Sequence, residues 1–259
     1  MMIATVLSRH AQVVRALMLR ELITRYGREG LGFLWVVGEP LIFCFGVIAL
    51  WAVAKPEYEH GVRVGPLAMT GYMALLLLRH QIGYSLNALS ANGGLLYHRQ
   101  VKPLHLYAAR NMLEFLGASA AFLIVYLCLA AIGEVGPPAD WLLLYGGWFL
   151  LALQGLGLAL ILSALALRFA VLERVVPLLT YLIIPISGVF FMVSWLPPRF
   201  RDDYLLIPLP HPVEMIRAGV FGPFVETHYD PVYALAWGVA FLALGLVLLA
   251  GVRDRVEPD

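Results

Sequence analysis

The sequence contains no GxxxxGKS/T run, so the chain has no P-loop with which to hold ATP. It also lacks HExxH, GxSxG and any His/Cys cluster at metal-ligand spacing, which removes the usual signatures of zinc proteases, α/β-hydrolases and structural metal sites. Cysteine is nearly absent. Cys44 and Cys128 both lie in long apolar runs and do not form a disulfide framework. Lysine is almost as scarce, Lys55 and Lys102 being two of eighteen cations. Charged residues make up 14% of the 259 positions and hydrophobic ones 61%, against about 25% and about 45–50% in an ordinary soluble domain. A net charge of +1 offers no bulk basicity for nucleic acid. The one adjacent carboxylate pair, Asp202–Asp203, lies beside Arg199 and Arg201 and reads as a local ion-pair cluster, so catalysis by this chain alone is not expected. What remains is a polytopic, all-α integral membrane protein.

A membrane-spanning helix needs about 20 apolar residues at about 1.5 Å each. Spans are expected at about 34–54, 66–89, 107–132, 141–167, 175–193 and 232–251, six in all. The first contains Pro40, and beginning it there would leave about 22 Å of helix, so it must run through Glu39–Pro40 with a kink. The second is cleanly apolar only to Leu78 and has to continue through Arg79, His80 and Gln81. Those residues then sit at membrane depth, facing protein or water rather than lipid. Gly146, Gly147, Gly155 and Gly157 in the fourth span are expected packing positions. The fifth carries Pro177 and Pro185. Residues 194–230 are too apolar for a free loop and too rich in proline for a span, so short helices lying at, or re-entering, the membrane surface are expected.

Ahead of the first span, Met18–Arg28 is amphipathic. Met18, Leu19, Leu22, Ile23 and Tyr26 share a face about 140° wide, with Arg20, Glu21, Thr24, Arg25 and Arg28 on the other side. That pattern suits a helix in the membrane interface, followed by a turn at Gly27, Gly30 and Gly32. No cleavable signal peptide is expected, since the first thirty residues are charged. Placing the N-terminus in the cytoplasm puts thirteen of eighteen cations on that side, or twelve against five without Arg79, so both termini are expected to be cytoplasmic. The division is residues 1–33, a cytoplasmic N-terminus with the interfacial helix, and 34–259, the six-helix domain.

Two further stretches invite function. In Asn92–Leu104, NGGLLYHRQVKPL, the glycines break the preceding helix and a short amphipathic helix suits docking of a soluble partner, or else a solvated positive loop. On the second span Arg79, His80, Tyr84 and Asn87 fall within about 100° of one helix face, with Tyr72 in the same sector. They read as a polar stripe, or Arg79 pairs with Glu114 or Glu39 as structural glue.

Three motifs carry a resemblance. RELITRYGREGLGFLWVVGEP at Arg20–Pro40, ANGGLLYHRQVKPL at Ala91–Leu104 and PLPHPVEMIRAGVFG at Pro208–Gly222 resemble, in order, segments of ABC-2-type polysaccharide export permeases. The similarity is greatest to the capsular polysaccharide export permeases of Gram-negative bacteria, the KpsM type; O-antigen or teichoic-acid exporters of the same class are the alternative. A membrane-embedded glycosyl or prenyl transferase would be a different class, and it would need carboxylates that only Asp202–Asp203 supplies.

The resemblance implies a homodimeric permease of the inner membrane, working with two separate ATPase subunits that hold the ATP and Mg. No cofactor belongs to this chain. It implies ATPase docking by Arg20, Glu21, Arg25, Arg28, Leu96, Tyr97, Arg99 and Lys102, with a smaller contact at Arg168 and Arg174. The path for a lipid-linked acidic polysaccharide is read from the residues rather than from a family motif: it needs cations and aromatics, and Tyr72, Arg79, His80, Gln81, Tyr84 and Asn87 are the candidates to line it. Trp195, Phe200, Tyr204, His211, Glu214, Arg217 and Phe221 would then form an exit segment meeting a periplasmic co-polymerase, the alternative being an aromatic belt. Glu214 and Arg217, three apart, are expected to pair.

Overall fold

The structure, a computed structural model, describes residues 2–26, 32–96 and 100–251, and only the backbone of residues 2–7, 25, 26, 32 and 33. Helix α1 is Met2–Tyr26 and α2 is Gly32–Ala54. A hairpin of β1, Tyr58–Glu59, and β2, Val62–Arg63, leads into α3, Val64–Leu86. Next come the short α4, Gly93–Leu96, then α5, Pro103–Ala131, and α6, Trp141–Arg168. Helices α7, Val171–Leu179, and α8, Ile183–Ser187, are followed by α9, Pro198–Tyr204, α10, Pro210–Phe221, and α11, Pro231–Ala250.

Among the described residues, four helices are long and apolar enough to cross a membrane: α2 from Leu34, α5, α6 and α11. Their ends fall close to the expected spans. Asp140 and Asp230 start α6 and α11, each side chain accepting from two backbone N–H groups of the first turn. The hairpin was not foreseen. His60 at φ 52° and Gly61 at φ 84° supply the two left-handed positions that a two-residue turn of this type needs.

Helix α3 is the innermost, packed by α2, α5 and α6, with Met69, Met73, Leu77 and Leu78 fully buried. Glycines set the close contacts, as expected of small residues in a helical bundle. Gly147 of α6 lies against the Pro212 carbonyl of α10, and Gly219 of α10 lies against the Leu144 backbone of α6. Gly157 and Gly245 do the same between α6 and α11.

The fifth expected span, 175–193, is not one helix. α7 and α8 are joined by a tighter turn at Thr180–Leu182, and α8 stops at Gly188 with φ 68°. Pro177 and Pro185 each remove an N–H from the ladder, and the hydroxyls of Thr180 and Ser187 donate to nearby carbonyls at 2.6 Å. Of the two short helices after it, α10 is buried along nearly its whole length against α6, so it does not lie on a surface.

Helix α1 packs on α5. Leu17 and Glu21 face inward, while Leu19 and Ile23, two residues of the face expected to meet the membrane interface, are 52% and 69% exposed.

Candidate functional site

A cavity of about 650 Å³ opens between α2, α3 and the α7 end of the broken fifth helix. Its walls carry Glu39 and Phe43 from α2, Tyr72, Arg79, His80 and Tyr84 from α3, and Tyr181 from the turn after α7. Pro40 lies inside α2, which is helical without interruption from Gly32 to Ala54. One turn earlier Val36 presses on α5 so closely that Gly117 has no room for a Cβ.

His80 lies between two carboxylates. Its Nδ1 is 3.4 Å from Glu114 Oε2 on α5 and its Nε2 is 4.0 Å from Glu39 Oε1 on α2. The Tyr84 hydroxyl donates to Glu39 Oε2 at 3.5 Å. Three helices thus meet through ionisable groups at the cavity's edge. Arg79 points elsewhere, with its guanidinium carbon 4.5 Å from the centre of the Tyr181 ring. The carboxylates expected to neutralise Arg79 are engaged by His80 instead.

Four of the six expected path residues line this cavity: Tyr72, Arg79, His80 and Tyr84. Gln81 and Asn87 do not. One residue past His80 the helix has turned by about 100°, and Gln81 is buried beneath α6, donating to the Ala152 carbonyl at 3.2 Å. Asn87 is the residue that ends α3, exposed and outside the cavity.

A ladder of rings continues from the cavity toward the hairpin. Tyr72 stacks on Phe190 with centroids 6.3 Å apart, Phe190 meets Trp51 at 5.2 Å, and Lys55 lies 3.9 Å over Trp51. Trp51, Phe190 and Tyr181 were not singled out in the sequence. They lie on elements far apart in the chain, and aromatic residues in apolar runs carry no distinguishing local signal.

At the α1 end, Glu21 Oε1 accepts from Arg110 Nε at 2.7 Å, and Arg110 Nη1 donates to the Tyr84 carbonyl at 2.7 Å. Glu21, expected among the docking residues, is only 4% exposed and is therefore not presented to a partner. Its charge is turned inward because Arg110, buried on α5, needs a counterion. Arg20 Nη1 donates to Asn92 Oδ1 at 2.6 Å, holding α1 to the short turn between α3 and α4. Lys102, Arg168 and Arg174 are exposed, and Leu96 is partly buried against the cluster containing Leu17 and Tyr107. Arg28, Tyr97 and Arg99, and the Arg25 side chain, lie outside the described residues. Arg110 stands four residues before Glu114 on α5, and Ala109–Arg110 and Leu113–Glu114 belong to the stretch that continues the second motif of the resemblance.

The expected exit residues divide in two. Phe200 is exposed, and Trp195 is partly buried, stacked on His60 with centroids 4.5 Å apart. The others are structural. Arg217 is 0% exposed and donates to the carbonyls of Gly188, Val189 and Phe191, in the irregular chain that follows α8. Burial pulls the Arg217 pKa below the usual arginine value, and Glu214, at 3.1 Å, opposes that fall. The Glu214–Arg217 pair forms as expected, but inside the protein rather than at an exit. Tyr204 donates to the carbonyls of Pro185 and Ile186, and burial raises its hydroxyl above the ordinary tyrosine range. His211 accepts from the Asp230 N–H at Nδ1, so Nε2 carries the proton donated to the Leu205 carbonyl. Phe221 is partly buried against the core.

The family model described as ABC-2 type transporter matches residues 12–221. The capsule polysaccharide export inner-membrane protein CtrC of Neisseria meningitidis serogroup B is 36% identical over 96% of this chain and 94% of its own length. BexB of Haemophilus influenzae, named in the same words, is 35% identical over 96% and 94%. The polysialic acid transport protein KpsM of Escherichia coli is 28% identical over 94% and 93%.

Proposed function

The chain belongs to the ABC-2 type transporter family, and from that premise we propose that it is the membrane permease for capsular polysaccharide export across the inner membrane. The similarity to CtrC over nearly the whole of both chains carries this reading. It is a transport subunit, and ATP hydrolysis belongs to a partner ATPase, in keeping with the missing P-loop.

Six spans are formed by α2, α3, α5, α6, the broken α7–α8 and α11, with both termini cytoplasmic. The excess of arginine toward the α1 end supports that orientation. Two copies of the chain work with two ATPase subunits, which engage the α1 end around Arg20, Arg25, Arg28, Leu96, Tyr97, Arg99 and Lys102, with Arg168 and Arg174 nearby. A lipid-linked acidic polysaccharide passes the cavity at Tyr72, Arg79, His80 and Tyr84. It leaves by the hairpin end, where Trp195 and Phe200 stand, toward a periplasmic co-polymerase. Guanidinium and ring faces in that cavity suit a glycan bearing anionic groups.

Complementation tests this reading. A strain deleted for the gene should regain surface polysaccharide with the native chain, and the chain should copurify with an ATPase. Lys102→Glu should weaken both. A chain that purifies without any ATPase and leaves the deletion strain without surface polysaccharide refutes the proposal.

A further inference from the structure

We propose that Arg79 is the point at which the permease binds one anionic group of its substrate, a phosphate or a carboxylate; the inference rests on the export reading above. Arg79 sits two-thirds of the way along α3, in the wall of the cavity. Among the described residues it makes no ion pair and no hydrogen bond, and its contact is the face of Tyr181. A cation at membrane depth is costly unless something neutralises it. The carboxylates at hand do not serve. Glu39 is held by Tyr84 and His80, and Glu114 faces His80 from the other side. Stacking on a ring leaves the planar N–H fork of arginine without protein acceptors, and that fork matches phosphate and carboxylate oxygens two at a time.

Space beside the fork is open as well. Gly83, one turn further along α3 and also in the cavity wall, has no atom within 4 Å of where a Cβ would stand. About 650 Å³ accommodates a lipid headgroup or a short run of sugar rings. Tyr72 and Tyr181 offer ring faces to the uncharged part of the ligand.

The test uses the full chain copurified with its ATPase in detergent, and two probes of the shared chemistry. Phosphatidylglycerol presents a lipid phosphate, with phosphatidylcholine as the reference lipid, and tetragalacturonate presents sugar carboxylates. Native mass spectrometry reads the lipid adducts, and thermophoresis reads the oligosaccharide. Wild type should prefer at least one probe, and Arg79→Gln should weaken that binding about tenfold, the scale of one charge-assisted hydrogen bond. Arg79→Lys should keep part of it. Gly83→Leu leaves the arginine in place and fills only open space, so it should block the probe without lowering the melting temperature. Arg199→Gln, at an exposed position near the hairpin end, should bind as wild type does. Loss confined to phosphatidylglycerol assigns the site to a headgroup, and loss confined to tetragalacturonate assigns it to the sugar chain. A wild type without preference, or unchanged binding in both Arg79→Gln and Gly83→Leu, overturns the proposal. Arg79-dependent binding by a chain that restores no surface polysaccharide leaves the site standing and removes the export reading. Export unaffected by both substitutions, with no probe preference, does the reverse.

Discussion

Glu21 and Arg110, 89 positions apart, form a buried ion pair at 2.7 Å, and the same guanidinium holds the backbone carbonyl of Tyr84. Tyr84 in turn reaches Glu39 across the cavity. A movement of α1 is thereby tied to the cavity wall through named bonds. Breaking one side of a buried pair costs about 3–5 kcal/mol, because the other charge is left unpaired. Glu21→Arg and Arg110→Glu should each lower the melting temperature and depress surface polysaccharide. The double reversal should recover part of both. Measured as a double-mutant cycle, a coupling near zero would show that the pair links nothing.

Arg217 should be among the least replaceable residues in the chain. Arg217→Met removes the donors to the Gly188, Val189 and Phe191 carbonyls and leaves Glu214 with backbone N–H partners but no countercharge, with an expected cost of about 3–5 kcal/mol. Arg217→Lys keeps the charge but loses the fork, so it should recover little. Limited proteolysis near residues 188–195 checks this, since that segment loses its anchor. Cleavage no faster than in wild type would contradict it.

Gly219 and Gly46 make a matched pair for stability. A methyl on Gly219 meets the Leu144 backbone, whereas one on Gly46 meets nothing within 4 Å. Gly219→Ala should therefore destabilise by about 1–3 kcal/mol through overpacking. Gly46→Ala should be neutral or stabilising by up to about 1 kcal/mol, as alanine favours helix over glycine. Thermal unfolding in detergent reads both, and equal effects would mean that the α6–α10 contact is looser than its geometry.

Orientation can be read by labelling. In a chain carrying Cys44→Ala and Cys128→Ala, Glu57→Cys should react with an impermeant maleimide from outside. Lys102→Cys should react only after permeabilisation. Both parent positions are exposed at opposite ends of the bundle. The opposite pattern would invert the topology.

Much of the candidate site was legible in advance. That α3 runs on through Arg79 and His80 followed from length alone, because the clean apolar run to Leu78 is too short for a span. Tyr72 and Tyr84 followed from helical spacing. Gln81 did not, since its place depends on α6 lying across that side of α3. The assignment of Glu39 and Glu114 to His80 rather than Arg79 was equally hidden: both residues are cationic candidates one position apart, and only the angle at which α2 and α5 approach separates them.

What the residues determined by themselves are the local matters: where apolar runs are long enough to be helices, where Pro177 and Pro185 disturb them, where aspartates start them, and which glycines permit close approach. These depend on backbone sterics and on neighbours within a turn or two. The tertiary structure alone decided which charges face inward. The periodicity of α1 put Glu21 on its polar side, and that residue is turned inward because Arg110 of α5 pairs with it. Arg217 was expected in an exit segment, and it is buried because the irregular chain after Gly188 presents carbonyls for it to hold. Desolvated charge is neutralised by whatever partner the packing brings, and that partner can stand anywhere in the chain.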